Sequence, residues 1–246
     1  MGVALVTGAA RGLGAVIAQR LARDGWAVAV NDLPGVAAAE EVAAGITASE
    51  GTAVAMVADV TDEEQVQALV ERVGVVLGPV GVLVVNATGP QSVIPLDALT
   101  WKDHLSHLEL FVKSPTLLTQ AVLPGMKAAG RGRIIQIGSE MAETALAGWS
   151  HYVAAKSAQL GLTRCWAREL GPFNITVNLV APGWIPVERH ANATADELAT
   201  YLADVPLARI GTPHDIAAAV AFLASDDAAF FTGQCMPVNG GRTFSR

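Results

Sequence analysis

Short runs of β-branched and aliphatic residues alternate with alanine-rich stretches of helical period from one end of the 246-residue chain to the other. This alternation constrains the fold more than any other feature. The runs Val3–Thr7, Ala27–Asn31, Ala53–Ala58, Val82–Asn86, Arg133–Gly138, Thr176–Val180 and Gln234–Val238 are apolar on both faces. A strand with two apolar faces must be covered on both, as in a parallel sheet between two helix layers. Between the runs, the spacing predicts helices at 13–24, 36–50, 62–76, 101–129, 150–171, 195–203 and 213–224. Helix starts carry capping signals: Thr61-Asp62-Glu63-Glu64, Thr100 with Asp103, Thr194 with Glu197, and Thr212 before Pro213. The expectation is an α/β chain forming a single domain over 1–246. Its core is a doubly wound parallel sheet of about seven strands with helices on both faces. No linker or fixed-period repeat interrupts it. The longest loop-like segment spans 181–194, and the region 181–203 beyond the carboxyl end of a strand is where such sheets build binding sites.

Composition narrows the partners. The net charge of −7, without a basic block, argues against nucleic acid. The most hydrophobic stretch, Val73 to Val85, is broken by Gly74, Gly78, Pro79 and Gly81, so no membrane span is expected. No basic leader precedes the first strand, and a cytoplasmic chain is expected. Cys165 and Cys235 lack metal or CxxC spacing and read as reduced core thiols. The three N-x-T matches, at Asn86, Asn174 and Asn192, carry no weight without a secretory route. Hydrophobic residues make up 52% and charged residues only 16%, so the long helices at 101–129 and 150–171 carry apolar residues on more than one face. Leu105, Leu108, Leu117, Leu160 and Trp166 could not all bury against one sheet, which predicts a homo-oligomer, with a homotetramer favoured.

The first strand runs into Gly8-Ala9-Ala10-Arg11-Gly12-Leu13-Gly14 and then a helix. Glycines there let the backbone approach a pyrophosphate, and the helix N-terminus attracts the anion. Asp32, ending the second strand, is placed to accept hydrogen bonds from the adenosine ribose hydroxyls and to repel a 2′-phosphate. The expected cofactor is NAD. Arg11 pulls the other way, toward NADP.

The spacing Thr7-Gly8-x-x-x-Gly12-x-Gly14 resembles that of the short-chain dehydrogenase/reductase family, and the resemblance runs over essentially the whole chain. It implies a Rossmann-type fold, a nicotinamide cofactor and reversible hydride transfer between that cofactor and a small-molecule ketone or secondary alcohol. By resemblance, the cofactor residues are Gly8, Arg11, Gly12, Leu13 and Gly14 in the loop, Asp32, and Asp59 and Val60 beside the adenine. Asn86, Pro182, Gly183 and the backbone of Ile185 complete the set, together with Tyr152 and Lys156. The chain departs from the pattern at Thr88, where the family has glycine, and at Val187, where it often has threonine.

Hydride transfer to a ketone leaves an alkoxide that needs a proton, which a buried tyrosine beside a cation can supply. Tyr152 and Lys156 lie at i and i+4 on one predicted helix and share a face, and Ser139 ends the fifth strand. The spacing matches the family's catalytic triad. The resemblance implies that Tyr152 is the general acid/base, that Lys156 lowers its pKa and binds the nicotinamide ribose, and that Ser139 orients the carbonyl. The family's asparagine on the preceding helix is replaced here by Phe111, so the relay it implies survives through the backbone carbonyl, is weakened, or is taken over by a nearby polar group such as Lys113. His104 and His107 share a face without a third ligand, so no metal is expected and they read as solvated or interface histidines. His151 is either a substrate contact or a helix-start surface residue. Met141, Trp149 and Trp184 suggest an apolar substrate face. A more specific reading is a 3-oxoacyl-thioester reductase, since the chain resembles that branch of the family in layout. A carrier protein would need basic residues at the pocket mouth, for which Arg131, Arg133 and Arg189 are the candidates. The remaining alternative is a cofactor-binding scaffold with weakened chemistry.

Overall fold

The computed structural model describes residues 2–33, 35, 38–187 and 194–244. Its strands are β1 (Val3–Thr7), β2 (Ala27–Asp32), β3 (Thr52–Val57), β4 (Val80–Val85), β5 (Gly132–Ile137), β6 (Ile175–Pro182) and β7 (Cys235–Val238). Among the described residues they form one sheet in the order β3-β2-β1-β4-β5-β6-β7, every pair parallel. The chain winds outward from β1 to β3, returns to β4 beside β1, and winds the other way. A crevice therefore opens at the carboxyl ends of β1 and β4, the switch point where doubly wound sheets bind ligands. This is the architecture that two-sided apolar strands require.

The helices are α1 (Gly12–Arg23), α2 (Ala38–Ala48), α3 (Glu63–Val76), α4 (Trp101–Leu108), α5 (Ser114–Ala129), α6 (Met141–Thr144), α7 (Ser150–Leu170), α8 (Ala195–Ala203) and α9 (Pro213–Ala224). Two cores flank the sheet. Ile17, Leu21 and Val220 pack on Val28, Val30 and Val180 on one face. Leu69, Leu118, Met126 and Leu170 pack on Leu5, Leu83 and Val177 on the other. The expected capping boxes form at Thr100 with Asp103 and Thr194 with Glu197, and Thr212 forms one with Asp215; at α3 the cap is Asp62, which accepts the Gln65 N–H, in place of the box expected at Thr61.

Three expectations need correction. The single helix expected over 101–129 is interrupted by a π-helical turn, Glu109–Lys113, whose closing Ser114 N–H donates to the Glu109 carbonyl. Pro115 explains it. Proline has no N–H for the carbonyl four residues back, at Phe111, and its ring crowds that carbonyl, so the turn widens. Second, β6 runs on to Pro182, which shortens the loop expected from 181; within it, 188–193 lie outside the described residues, as do Val36 and Ala37 at the expected start of the second helix. Third, the cysteines are not core thiols: both are free, with Cys165 exposed and Cys235 half-buried. Among the described residues, no helix is long and apolar enough to cross a membrane.

Candidate active site

The β1–α1 turn is built to bring backbone close to a ligand. Gly8 has φ of 62°, and a side chain there would meet the backbone of Ala87. A side chain at Gly14 would run into the Gly8 carbonyl and the Asn86 amide. Asn86 locks this arrangement, its amide donating to the Thr7 and Gly8 carbonyls at 2.9 and 3.0 Å. The Thr7 hydroxyl accepts the N–H groups of Asn86 and Ala87. Asn86 thus ties β4 to the glycine loop across the switch point. Asp32 braces the loop from the other side, its carboxylate accepting from Ala10 N–H at 2.9 Å and Leu33 N–H at 2.9 Å. Asp59 is engaged locally, accepting from the Thr61 N–H and hydroxyl. Val60 is buried and Arg11 is exposed at the start of α1. At Thr88 the side chain accepts from Gln91 at 3.2 Å, so the missing glycine is accommodated. Gly183 donates to the Val238 carbonyl, and Ile185 is buried.

Across the crevice, Ser139 follows β5, and its hydroxyl oxygen accepts the Met141 N–H at 3.2 Å. Tyr152 and Lys156 are buried on the inner face of α7. The Lys156 ammonium donates to the Ile137 carbonyl, two residues before Ser139, at 2.7 Å, and to Gln159 Oε1 at 3.0 Å. It also sits 3.7 Å from the centroid of the Phe111 ring and 5.8 Å from that of Tyr152. Phe111, Trp149 and His107 pack edge-on against the Tyr152 ring, at 5.6, 5.7 and 5.9 Å between centroids. Lys113, one candidate to replace the asparagine's relay, is exposed; the polar group at Lys156 is Gln159.

The histidines are placed differently from the sequence reading. His107 is buried rather than solvated, its Nδ1 held by the Asp103 carbonyl at 3.1 Å. His151 is 1% exposed and not a surface residue. It packs against His107 at 4.6 Å and His104 at 6.5 Å between centroids. Burial, first, and the neighbouring His107 and His104 hold its imidazole below the usual histidine range. Among the described residues, no set of three His, Cys, Asp or Glu side chains converges into a metal site.

Behind Ser139, Glu140 is buried and accepts from the Arg242 guanidinium at 2.8 Å. That guanidinium lies 4.6 Å from the centroid of Tyr201 on α8, whose phenol oxygen accepts the Trp184 N–H at 2.8 Å. Burial pushes the Tyr201 phenol above its ordinary value, so it stays neutral. Sequence reasoning missed this chain. Arg131 and Arg133, the proposed carrier contacts, lie at the start of β5, the end opposite Ser139, and pair with Asp226. Arg189 lies outside the described residues.

Residues 8–243 match the family described as Enoyl-(Acyl carrier protein) reductase. The chain belongs to the short-chain dehydrogenase/reductase family. It is 39% identical to the 3-oxoacyl-[acyl-carrier-protein] reductase of Pseudomonas aeruginosa over 245 residues, which covers 99% of this chain and 98% of that one. The enzyme of the same name from Staphylococcus aureus is 40% identical over 241 residues, covering 97% and 96%. Among solved structures, a gluconate 5-dehydrogenase from Burkholderia cenocepacia, in complex with NADP and tartrate, superposes with a TM-score of 0.93. It is 31% identical, with 100% of this chain and 96% of that one covered. A blue fluorescent protein from a metagenomic library, in complex with NADPH, superposes with a TM-score of 0.91 at 39% identity, covering 99% and 98%. As a short-chain dehydrogenase/reductase, the chain is a nicotinamide-dependent oxidoreductase. The glycine cradle between β1 and β4, closed to any side chain, fits that cofactor's pyrophosphate.

Proposed function

We propose that the chain interconverts a small-molecule ketone and its secondary alcohol, with Tyr152 as general acid/base, Lys156 as its cationic partner and Ser139 as the group that orients the substrate. One observation carries this reading: Lys156, one turn beyond Tyr152, reaches back to the Ile137 carbonyl at the end of the strand that delivers Ser139. The Ser139 oxygen accepts the Met141 N–H, which anchors the hydroxyl, and its O–H is the donor assigned to the substrate carbonyl oxygen. The buried ammonium near the Tyr152 ring favours the phenolate over the phenol. In reduction, the carbonyl carbon gains a hydride and its oxygen takes the Tyr152 proton; in oxidation, the phenolate takes the alcohol proton. A nicotinamide dinucleotide bound along the glycine loop supplies or accepts the hydride. The loop residues Gly8, Arg11, Gly12, Leu13 and Gly14, with Asp32, Asp59, Val60 and Asn86, form its adenosine and pyrophosphate side. Pro182, Gly183, Ile185, Tyr152 and Lys156 form its nicotinamide side, and the segment around 181–203 is assigned as the substrate loop.

A free small ketone is favoured over a carrier-bound acyl chain, because Arg131 and Arg133 are committed to Asp226 at the far end of the sheet. The Asp32 carboxylate favours NAD(H) through repulsion of a 2′-phosphate, although the two solved relatives carry NADP and NADPH. The test compares kcat/KM for NADH and NADPH over a panel of ketones, β-keto thioesters included. We expect turnover of free ketones with NADH ahead of NADPH. No turnover of any carbonyl contradicts the reaction, and an NADPH preference contradicts the role of Asp32.

The same helices support a homotetramer. Leu105 is 44% exposed, Leu108, Leu117, Leu160 and Trp166 are only partly covered, and Phe230 beside β7 is fully exposed. Light scattering at micromolar concentration is expected to give four chain masses; a fully active single-chain particle contradicts it.

A further inference from the structure

A chain of buried amides runs away from Lys156. The Gln159 side-chain oxygen accepts from the ammonium at 3.0 Å, and its NH2 group donates to Gln136 Oε1 at 3.3 Å. The Gln136 NH2 group in turn donates to the Thr163 hydroxyl at 2.9 Å and, more weakly, to the Gln159 backbone carbonyl at 3.4 Å. The Thr163 hydroxyl donates to that same carbonyl at 2.9 Å. Gln136, Gln159 and Thr163 are all at most 1% exposed. Each amide dipole points its oxygen toward the ammonium side, so the bonds reinforce one another in a medium of low dielectric. A fully satisfied network of this kind fixes its members. A buried glutamine between a strand and a helix is otherwise costly.

We propose that Gln159 is a positioning residue of the reaction: backed by Gln136 and Thr163, it fixes the Lys156 ammonium between the Ile137 carbonyl and the face of Phe111, 5.8 Å from the centroid of the Tyr152 ring. The acceptor needed by a buried ammonium thus comes from α7 itself, one turn along. The opposite wall is an aromatic face, which attracts the cation without taking a proton from it. Gln159 touches no reacting atom; it acts through Lys156. The inference rests on the assignment of Tyr152 and Lys156 made above. Among the described residues, His107 from α4 packs against the Tyr152 ring and His151 from α7 against His107, with burial holding the His151 imidazole below its ordinary range.

The test reads kcat for alcohol oxidation against pH in the full-length enzyme and in two variants of nearly the same shape. Gln159→Glu places a carboxylate against the ammonium and cancels part of its field at Tyr152. The rising limb of the profile is expected to move up by about one pH unit, a roughly tenfold loss of kcat on that limb. Gln159→Met removes the acceptor, together with the amide donor to Gln136, without adding a charge, and is expected to move the limb in the same direction by less, with KM for the alcohol changed under about twofold. Thermal melting of each variant reports folding. Should Gln159→Met not fold, Thr163→Val, which shortens only the far end of the chain, is read in its place and is expected to shift the limb the same way. A profile that stays in place in the folded variants, or an activity loss equal in all of them at every pH, overturns the proposal. Tyr152→Phe separates the two layers. If it is inactive while the profiles do not move, only the role of Gln159 fails; if it remains active, the assignment beneath it fails.

Discussion

The Lys156 ammonium lies 3.7 Å from the centroid of the Phe111 ring, and Phe111 is 2% exposed. A desolvated cation over an aromatic face gains about 2 kcal/mol. Here the contact takes the place that the family resemblance assigns to an asparagine. The π-helical turn that Pro115 imposes carries Phe111. Phe111→Leu keeps an apolar wall but removes the ring quadrupole. We expect it to lower unfolding free energy by about 1–3 kcal/mol, from lost area and lost cation attraction together, and to lower kcat several-fold. Denaturant titration and steady-state kinetics check both, and unchanged values for both contradict the contact's importance.

Glu140 and Arg242 stand 102 residues apart in sequence and 2.8 Å apart in the fold. Glu140 follows Ser139, and Arg242 also packs on Tyr201, which in turn holds the Trp184 backbone. The pair ties the C-terminal segment to the serine strand and to the substrate segment. Arg242→Met leaves a buried carboxylate without its partner, which costs about 3–5 kcal/mol. Replacing both, Glu140→Val with Arg242→Met, is expected to recover most of that loss, because no uncompensated charge remains. Chemical denaturation of the single and double variants decides it. A double variant as unstable as the single one contradicts the pairing argument.

The buried His151 gives stability a pH dependence whose sign is fixed. Its folded-state pKa lies below the ordinary histidine value of 6.5 through burial and the nearby His107 and His104, opposed by Asp103. Above pH 6.5 the residue is neutral in both states and has no effect. As pH falls below 6.5, the unfolded chain takes up the proton first, so stability declines until the folded-state pKa is reached. His151→Phe keeps an aromatic edge toward His107 and removes this titration. Melting temperature between pH 7 and pH 5 is expected to drop less in the variant than in the parent. An equal drop places the titration elsewhere.

Much of this arrangement was legible in the sequence because it is local. A strand apolar on both faces announces a covered parallel sheet, and Thr212-Pro213 announces a helix start, to which the structure adds Asp215 as the capping-box partner. The glycine loop is legible because the positive φ at Gly8 and the close approach at Gly14 tolerate little else. What stayed hidden depends on distant pairing or on a small break in periodicity. The helical period continues through Glu109–Lys113, and only Pro115 hints at the wider turn. Gln136, between Ile135 and Ile137 in β5, and Gln159, three residues after Lys156, were signals in plain view. Their meaning appears only when strand and helix meet. His151 was ambiguous because a helix start is usually solvated, and here α4 covers it with His104 and His107. Glu140 and Arg242 lie at opposite ends of the second half of the fold, and no local pattern pairs them.

The central claim is that Tyr152 exchanges the proton, while the glycine crevice supplies most of the hold on the cofactor and the Tyr152 hydroxyl little of it. The direct measurement is a paired one on Tyr152→Phe: cofactor affinity by NADH fluorescence titration, and kcat for reduction of a ketone that the parent enzyme turns over. Loss of a single positioned proton donor lowers the rate by roughly two or more orders of magnitude. The account predicts a fall of at least that size, with the NADH dissociation constant within a few-fold of the parent. A variant that retains near-parental kcat contradicts it.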